Sequence, residues 1–280
     1  MQYGLKNRRE DRKWYYGPFG LPFAIVDIRG LRLVGGDERM NWKPSRPRSI
    51  VSLERTLAVC AVEIPEWLMA VYLGEIKAMG AEVGEKLPTS DGPARRYRLE
   101  NMLRFCHWLN LKDGITNPSL MFPSYPNFNP SPILDKKSWN GDGYRLPTGV
   151  EWEAIAREKT MTGSFLGDSL EFLGSYAWTC ENTLAQPGDI GKKKPSTTGL
   201  FDILGNVYES VLLTPVATWF PDGYGYRDGS NIWQMDDVKY VHLRGGSFLS
   251  HRIYCSSGAE HGIEVDVDIN VGFRLIRVLE

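Results

Sequence analysis

Cysteine and histidine are both scarce in this chain of 280 residues, with four of each. The cysteines (Cys60, Cys106, Cys180 and Cys255) stand far apart, with no C-x-x-C pair and no zinc spacing. Four thiols in so long a chain do not describe a disulfide framework. Cys106 falls within an apolar helical pattern and reads as a small buried hydrophobe. No G-x-S-x-G, P-loop, H-E-x-x-H or H-x-x-x-H-x-E run is present, so the common signatures of serine hydrolases, NTPases and metallohydrolases are absent. Long apolar runs are missing as well. None approaches the roughly 18 residues needed to cross a bilayer, so no membrane insertion is expected. The stretch 1–16 is charged and polar, without the apolar core of a secretory signal, and the chain reads as soluble and made in the cytoplasm. An excess of one charge is lacking too. With 33 basic and 34 acidic side chains the net charge is −1, which leaves no electrostatic footprint for nucleic acid. The run Lys192-Lys193-Lys194 reads as a solvated loop.

What is present is ordinary globular material. Apolar residues at 42% and charged residues at 24% suffice for a large core, and no internal repeat or clean linker divides the chain, so one domain over 1–280 is expected. Residues 1–20 look irregular. Phe23–Ile28 and Leu31–Val34 read as strands separated by Gly30, and 37–48 as a polar loop. Helical periodicity starts after Pro65 and covers 66–73. A loop over 84–95 precedes a second helix, Leu99–Leu109, with Leu99, Leu103, Cys106 and Leu109 on one face. Residues 113–143 are rich in Pro, Asn, Ser and Gly, as a long surface loop would be. A third helix follows Pro147. There Thr148 and Glu151 have the spacing of a capping box, and Trp152, Ile155 and Ala156 supply an apolar face. Beyond residue 172 only short strands and turns are expected. Helices early and short strands late, with no β-α alternation, predict an α+β fold with irregular antiparallel sheet.

Three segments carry a resemblance. The first is Tyr144-Arg145-Leu146-Pro147-Thr148-x-x-Glu151-Trp152-Glu153-x-x-Ala156-Arg157. The second runs from Tyr176-Ala177-Trp178 and Glu181-Asn182 through Lys194-Pro195 to Gly199-Leu200-Phe201-Asp202-x-x-Gly205-Asn206-Val207-Tyr208-Glu209. The third is Leu243-Arg244-Gly245-Gly246-Ser247-Phe248, closed by Val271-Gly272-Phe273-Arg274-Leu275; Phe105-Cys106-x-Trp108-Leu109-Asn110 is a weaker fourth. In this order they resemble the formylglycine-generating-enzyme (sulfatase-modifying factor) family, over about residues 100–280. The resemblance implies a C-type-lectin-like fold.

It also implies chemistry that this chain meets only in part. The family's oxidase resembles a copper-dependent thiol oxidase with a C-x-x-x-x-C pair, and two soft thiolates suit Cu(I). The matching run is Ser250-His251-Arg252-Ile253-Tyr254-Cys255, whose first position is serine. An oxidase using Cys255 alone remains as an alternative, beside a purely structural Cys255 within Cys255-Ser256-Ser257-Gly258. The iron sulfoxide synthases of the superfamily need three histidines that His107, His242, His251 and His261 do not reproduce. The resemblance further implies a structural Ca²⁺, with Asp202 and Glu209 giving carboxylates and Gly205 and Val207 giving carbonyls. The other reading is a hydrogen-bonded turn without metal. Asn206 is expected to bond local backbone.

Between Gly-Gly-Ser and Gly-Phe-Arg, residues 248–271 hold Ser, His, Tyr, Asp, Asn, Ile and Val but no Lys, Gln, Met or Trp. That residue set resembles the variable segments of proteins diversified by retroelements, which use this fold. Alternation over 264–270 puts Asp266, Asp268 and Asn270 on one face, either for display or simply as an edge strand. The primary expectation is therefore a non-enzymatic binding protein for a protein or cell-surface ligand, compatible with display on a virion or cell. Its contacts would be Phe248, Ser250, His251, Ile253, Tyr254, His261, Asp266, Asp268 and Asn270, with no cofactor required. A scaffold with neither activity is the third reading.

Overall fold

The computed structural model describes residues 14–35, 49–80, 90–115, 143–212, 218–220, 223–227, 240–264 and 268–279. The expected loop at 37–48 lies wholly, that at 113–143 largely and that at 84–95 by half outside these residues, as does Asp266. Thirteen strands are described: β1 (Trp14–Tyr16), β2 (Pro22–Asp27), β3 (Gly30–Val34), β4 (Ser49–Leu53), β5 (Thr56–Cys60), β6 (Tyr144–Arg145), β7 (Tyr208–Val211), β8 (Thr218–Phe220), β9 (Gly223–Arg227), β10 (Tyr240–Arg244), β11 (Glu260–Glu264), β12 (Val271–Gly272) and β13 (Ile276–Val278). The described helices are α1 (Glu66–Ala78), α2 (Leu99–Lys112) and α3 (Gly149–Arg157). They build three sheets, ordered β1-β2-β5-β13-β6, β11-β10-β7-β12 and β3-β4-β9-β8. This is the mixed α+β architecture the sequence predicts. Among the described residues no helix is long and apolar enough to cross a membrane.

The five-stranded sheet divides the core. Strand β5 is buried along its whole length, and its side chains alternate between faces, as a period of two requires. Ala58 and Cys60 pack with Leu68, Met102 and Phe105 of α1 and α2. Leu57 and Val59 pack with Trp152 and Ile155 of α3. The last described strand, β13, pairs antiparallel with β5 and β6 and lies between them in the sheet.

The helices follow their sequence signals, with differences at the ends. Leu99, Leu103, Cys106 and Leu109 are all buried, and α2 continues to Lys112. Pro65 sits at the N-cap of α1, one place before the first turn, and α1 extends to Ala78. The capping box of α3 is complete: the Glu151 N–H donates to Thr148 Oγ1 at 3.1 Å and the Thr148 N–H donates to Glu151 Oε2 at 2.9 Å. The expected irregular lead-in is in part a strand. Residues 14–16 pair with β2, and Tyr15 stacks on Phe23 with ring centroids 5.1 Å apart. Three residues are too few for periodicity to reveal a strand; the unsatisfied edge of β2 recruits them.

Asn110 shows why α2 and the start of the first motif belong together. Its amide accepts from the Tyr144 N–H at 2.7 Å and donates to the Tyr144 carbonyl at 3.1 Å, so the helix serves as a partner for β6. Full burial makes that pairing obligatory, because an unmet amide there would cost about 1–3 kcal/mol.

Candidate functional site

The second sheet holds the two framework motifs in register. Strand β10 pairs with β7 so that Arg244 faces Glu209, and β12 runs parallel to β7 with Gly272 beside Glu209. The segment that joins β10 to β11 therefore leaves from the end of the sheet to which the chain returns at β12, beside Glu209. Gly245 and Gly246 open the first of them with φ of 89° and 80°, a left-handed pair that favours glycine. A Cβ on Gly246 would lie 2.5 Å from Cys255 Sγ, and one on Gly245 would lie 3.1 Å from the Ile203 carbonyl. The Gly-Gly turn is thus fitted against Cys255 and the motif loop.

Burial separates the candidates into two groups. Phe248, Ser250, Cys255 and Asn270 are buried; His251 and Asp268 are exposed, and Ile253, Tyr254 and His261 are half-buried. Phe248, expected as a contact, is instead an anchor: it is 1% exposed, and its N–H donates to the Asn206 carbonyl at 2.6 Å. An aromatic ring so placed contributes to the core, not to a display surface.

Ser250 lies in a chain of hydroxyls. Its Oγ donates to the Tyr208 hydroxyl at 3.0 Å and lies 3.1 Å from Ser247 Oγ. Ser247 Oγ is 3.1 Å from the Asn270 amide, whose nitrogen, in the orientation its neighbours demand, donates to Asp268 at 3.0 and 3.2 Å. The Tyr208 ring meets the His261 ring edge-on at 5.1 Å. Ser247, Ser250, Asn270 and Asp268 thus tie the two segments together.

The 179–183 stretch buttresses the same segment. The Cys180 N–H donates to the Ser250 carbonyl at 3.1 Å and Thr183 Oγ1 donates to the Phe248 carbonyl at 3.2 Å. Glu181 pairs with His251 Nε2 at 2.9 Å and with Arg252 Nε at 2.8 Å. The sequence reading did not single out Glu181 for this role; nothing local marks a carboxylate that acts on residues 70 positions away.

Cys255 lies inside the fold. It is fully buried and closed over by Gly246. Its neighbours are built in as well: the Ser257 hydroxyl donates to the Ala156 carbonyl at 3.1 Å and the Ser257 N–H to the Gly163 carbonyl at 2.9 Å. Of the four free cysteines Cys180 alone is exposed.

Two of the four expected calcium ligands, the carboxylates of Glu209 and Asp202, meet protein donors. Both oxygens of Glu209 are engaged, Oε1 with Arg274 at 2.8 Å and Oε2 with the Trp152 indole N–H at 2.6 Å. Asp202 accepts from the Gly191 N–H at 2.7 Å through Oδ2, while its other oxygen is buried without a hydrogen-bond partner. Among the described residues no group of three or more His, Cys, Asp or Glu is placed to hold a metal. Burial pushes the Asp202 carboxyl up to about 6, and Glu63, also buried, is pushed well above the usual carboxylate range.

Asn206 departs from its expected role. Its side chain donates to Glu63 at 2.6 Å and accepts from the Gly188 N–H at 3.0 Å, while the Val207 N–H donates to Glu63 at 3.1 Å. A residue 143 positions upstream, not local backbone, holds it.

The model of the sulfatase-modifying factor enzyme 1-like domain matches residues 81–279, well over half of the chain. The chain belongs to this family. Among solved structures, Treponema denticola variable protein 1 is similar at 22% identity and a TM-score of 0.69, covering 95% of this chain and 98% of its own. PvdO from Pseudomonas aeruginosa is similar at 18% identity and a TM-score of 0.68, with the same coverage. These likenesses give the fold: α+β, C-type-lectin-like, of the formylglycine-generating-enzyme type. A curated relative, the chaperone protein LppX of Paenibacillus barcinonensis, is 26% identical over 45% of this chain. The chain spans 56% of that relative's length.

Proposed function

We propose that this family member is a non-enzymatic ligand-binding protein that shows a variable-type surface segment, about 248–270, to a protein or cell-surface ligand. The carrying observation is the separation of anchors from display within that segment. Phe248, Ser250, Cys255 and Asn270 are buried, and between them His251, Arg252, Asp268 and Ile269 face solvent. Side chains at His251, Arg252 and Ile269 can change without touching the core. The likeness to a protein named as a variable protein supports the reading.

The oxidase alternative is disfavoured by the residues themselves. Serine stands at the first cysteine position, its hydroxyl committed to Tyr208 and Ser247, and Cys255 is sealed beneath Gly246. A serine oxygen is a hard ligand and does not replace a thiolate for Cu(I).

The test replaces His251, Arg252 and Ile269 together in a display library. Folded members that yield binders to unrelated protein targets are expected. Loss of folding across the library overturns the reading. So does stoichiometric Cu(I) binding by the reduced protein that Cys255→Ser abolishes.

A further inference from the structure

One edge of this face is cationic. Arg95 Nη1 donates to the Ile269 carbonyl at 2.9 Å, and the Arg96 N–H donates to the Val271 carbonyl at 3.2 Å. The segment 95–98 thereby runs beside residues 269–271 at the end of the candidate surface. Arg96 and Arg98 are exposed and Arg95 is half-buried. Arg96 has a φ of 68°, a conformation that the surrounding bonds must hold in place.

Two described carboxylates near this edge, Glu66 and Asp268, already accept hydrogen bonds. Glu66 accepts from the Arg95 N–H at 3.1 Å and from the Tyr97 hydroxyl at 2.8 Å. Asp268 accepts from Asn270. Among the described residues no ion pair engages Arg95, Arg96 or Arg98. Burial, and then the neighbouring Arg96 charge, lower the Arg95 pKa, and the Glu66 charge offsets this only in part. An anion brought to this edge would relieve that repulsion. Beside the Arg95 guanidinium Ile269 is 41% exposed, which gives the edge an apolar contact next to the charge.

We infer that the Arg95–Arg98 edge extends the binding face and docks an acidic segment of a protein partner, with a carboxylate on the Arg96/Arg98 pair and an apolar side chain against Ile269. This rests on the binding-face reading above. Guanidinium groups recognise carboxylates in paired hydrogen bonds, which fix orientation as well as adding attraction. A nucleic acid is the poorer fit, since the chain's net charge is −1 and the positive charge is local.

The probe is a short labelled peptide of alternating Glu and Leu, titrated into the full chain at low and at physiological ionic strength. Arg96→Gln with Arg98→Gln is expected to weaken binding about tenfold, about 1.4 kcal/mol, and to remove most of its salt dependence. Lys192→Gln with Lys194→Gln is expected to leave binding unchanged. Thermal melts confirm that each variant is folded. No binding by the wild-type chain at low salt, or equal binding by the double arginine variant, overturns the inference. His251→Ala separates the two failures. If it weakens binding while the arginine variant does not, the edge is wrong and the face stands; if neither does, the face reading falls too. Displacement of the peptide by inorganic polyphosphate at lower concentration than by free Glu-Leu peptide also overturns it, because the edge would then be a general anion site.

Discussion

Asp202 bears the clearest single-residue consequence. Its carboxyl is raised from an ordinary 3.8 to about 6, chiefly by burial, and one oxygen lacks a hydrogen-bond partner. A carboxyl whose folded pKa is raised contributes stability below its unfolded pKa and loses it as pH rises through the folded value. Asp202→Asn keeps the acceptor for Gly191 and suits the left-handed φ of 53°. Urea melts should therefore show the variant on the order of 1–3 kcal/mol more stable than wild type at pH 7 and equal to it near pH 4. A difference that does not change with pH would refute this account. Glu209 and Arg274 make the opposite case. Both are buried and bonded to each other, so Arg274→Met strands a buried carboxylate and should cost about 3–5 kcal/mol, measured in the same way. The thiols give a third residue-scale expectation. Burial pushes Cys60 up to about 11 and Cys106 up to about 12, and Cys255 is enclosed. A disulfide reagent added to the native chain should label Cys180 and reach the others only on unfolding.

At the scale of elements, the structure rests on close fits that single atoms decide. The turn Gly245-Gly246 brings backbone against Cys255 Sγ and the Ile203 carbonyl. Gly246→Ala would need a shift of Cys255 as well as a left-handed alanine, and at least about 2 kcal/mol of destabilisation is expected by denaturant titration. An alanine variant as stable as wild type would show that the turn can relax. The α3 capping box was legible in the sequence because both of its partners lie within one helical turn. The reach of α1 to Ala78 and of α2 to Lys112 was less legible, since helix ends depend on where the partner element stops. The strand β1 was hidden for a related reason: three residues become a strand only when β2 offers them an open edge.

For the whole molecule, Glu151 sets how the fold meets acid. Burial alone would raise its carboxyl, but the charges and bonds of Arg145 and Arg55, with the Thr148 N–H, hold it down at about 2. Its stabilisation is therefore complete above its ordinary 4.5 and is lost as pH falls towards about 2. Circular dichroism across that window should show cooperative acid unfolding that Glu151→Gln weakens, because the variant has lost that linkage already.

The sequence by itself determined the family, through spaced motifs whose glycines, aromatics and charged residues each meet a local demand. It also determined that the cysteine pair is incomplete, since Ser250 stands where a thiol is needed. Only the tertiary structure decided which of the described residues between 248 and 270 are anchors and which are offered to solvent. It likewise decided that Asn206 answers to Glu63, that Glu209 is spent on Arg274 and Trp152, and that Arg95 borders Ile269. The reason is physical: periodicity and capping act over a few residues and can be read along the chain. Burial and charge pairing join residues 65 to 174 positions apart, and those meetings exist only once the sheets have assembled.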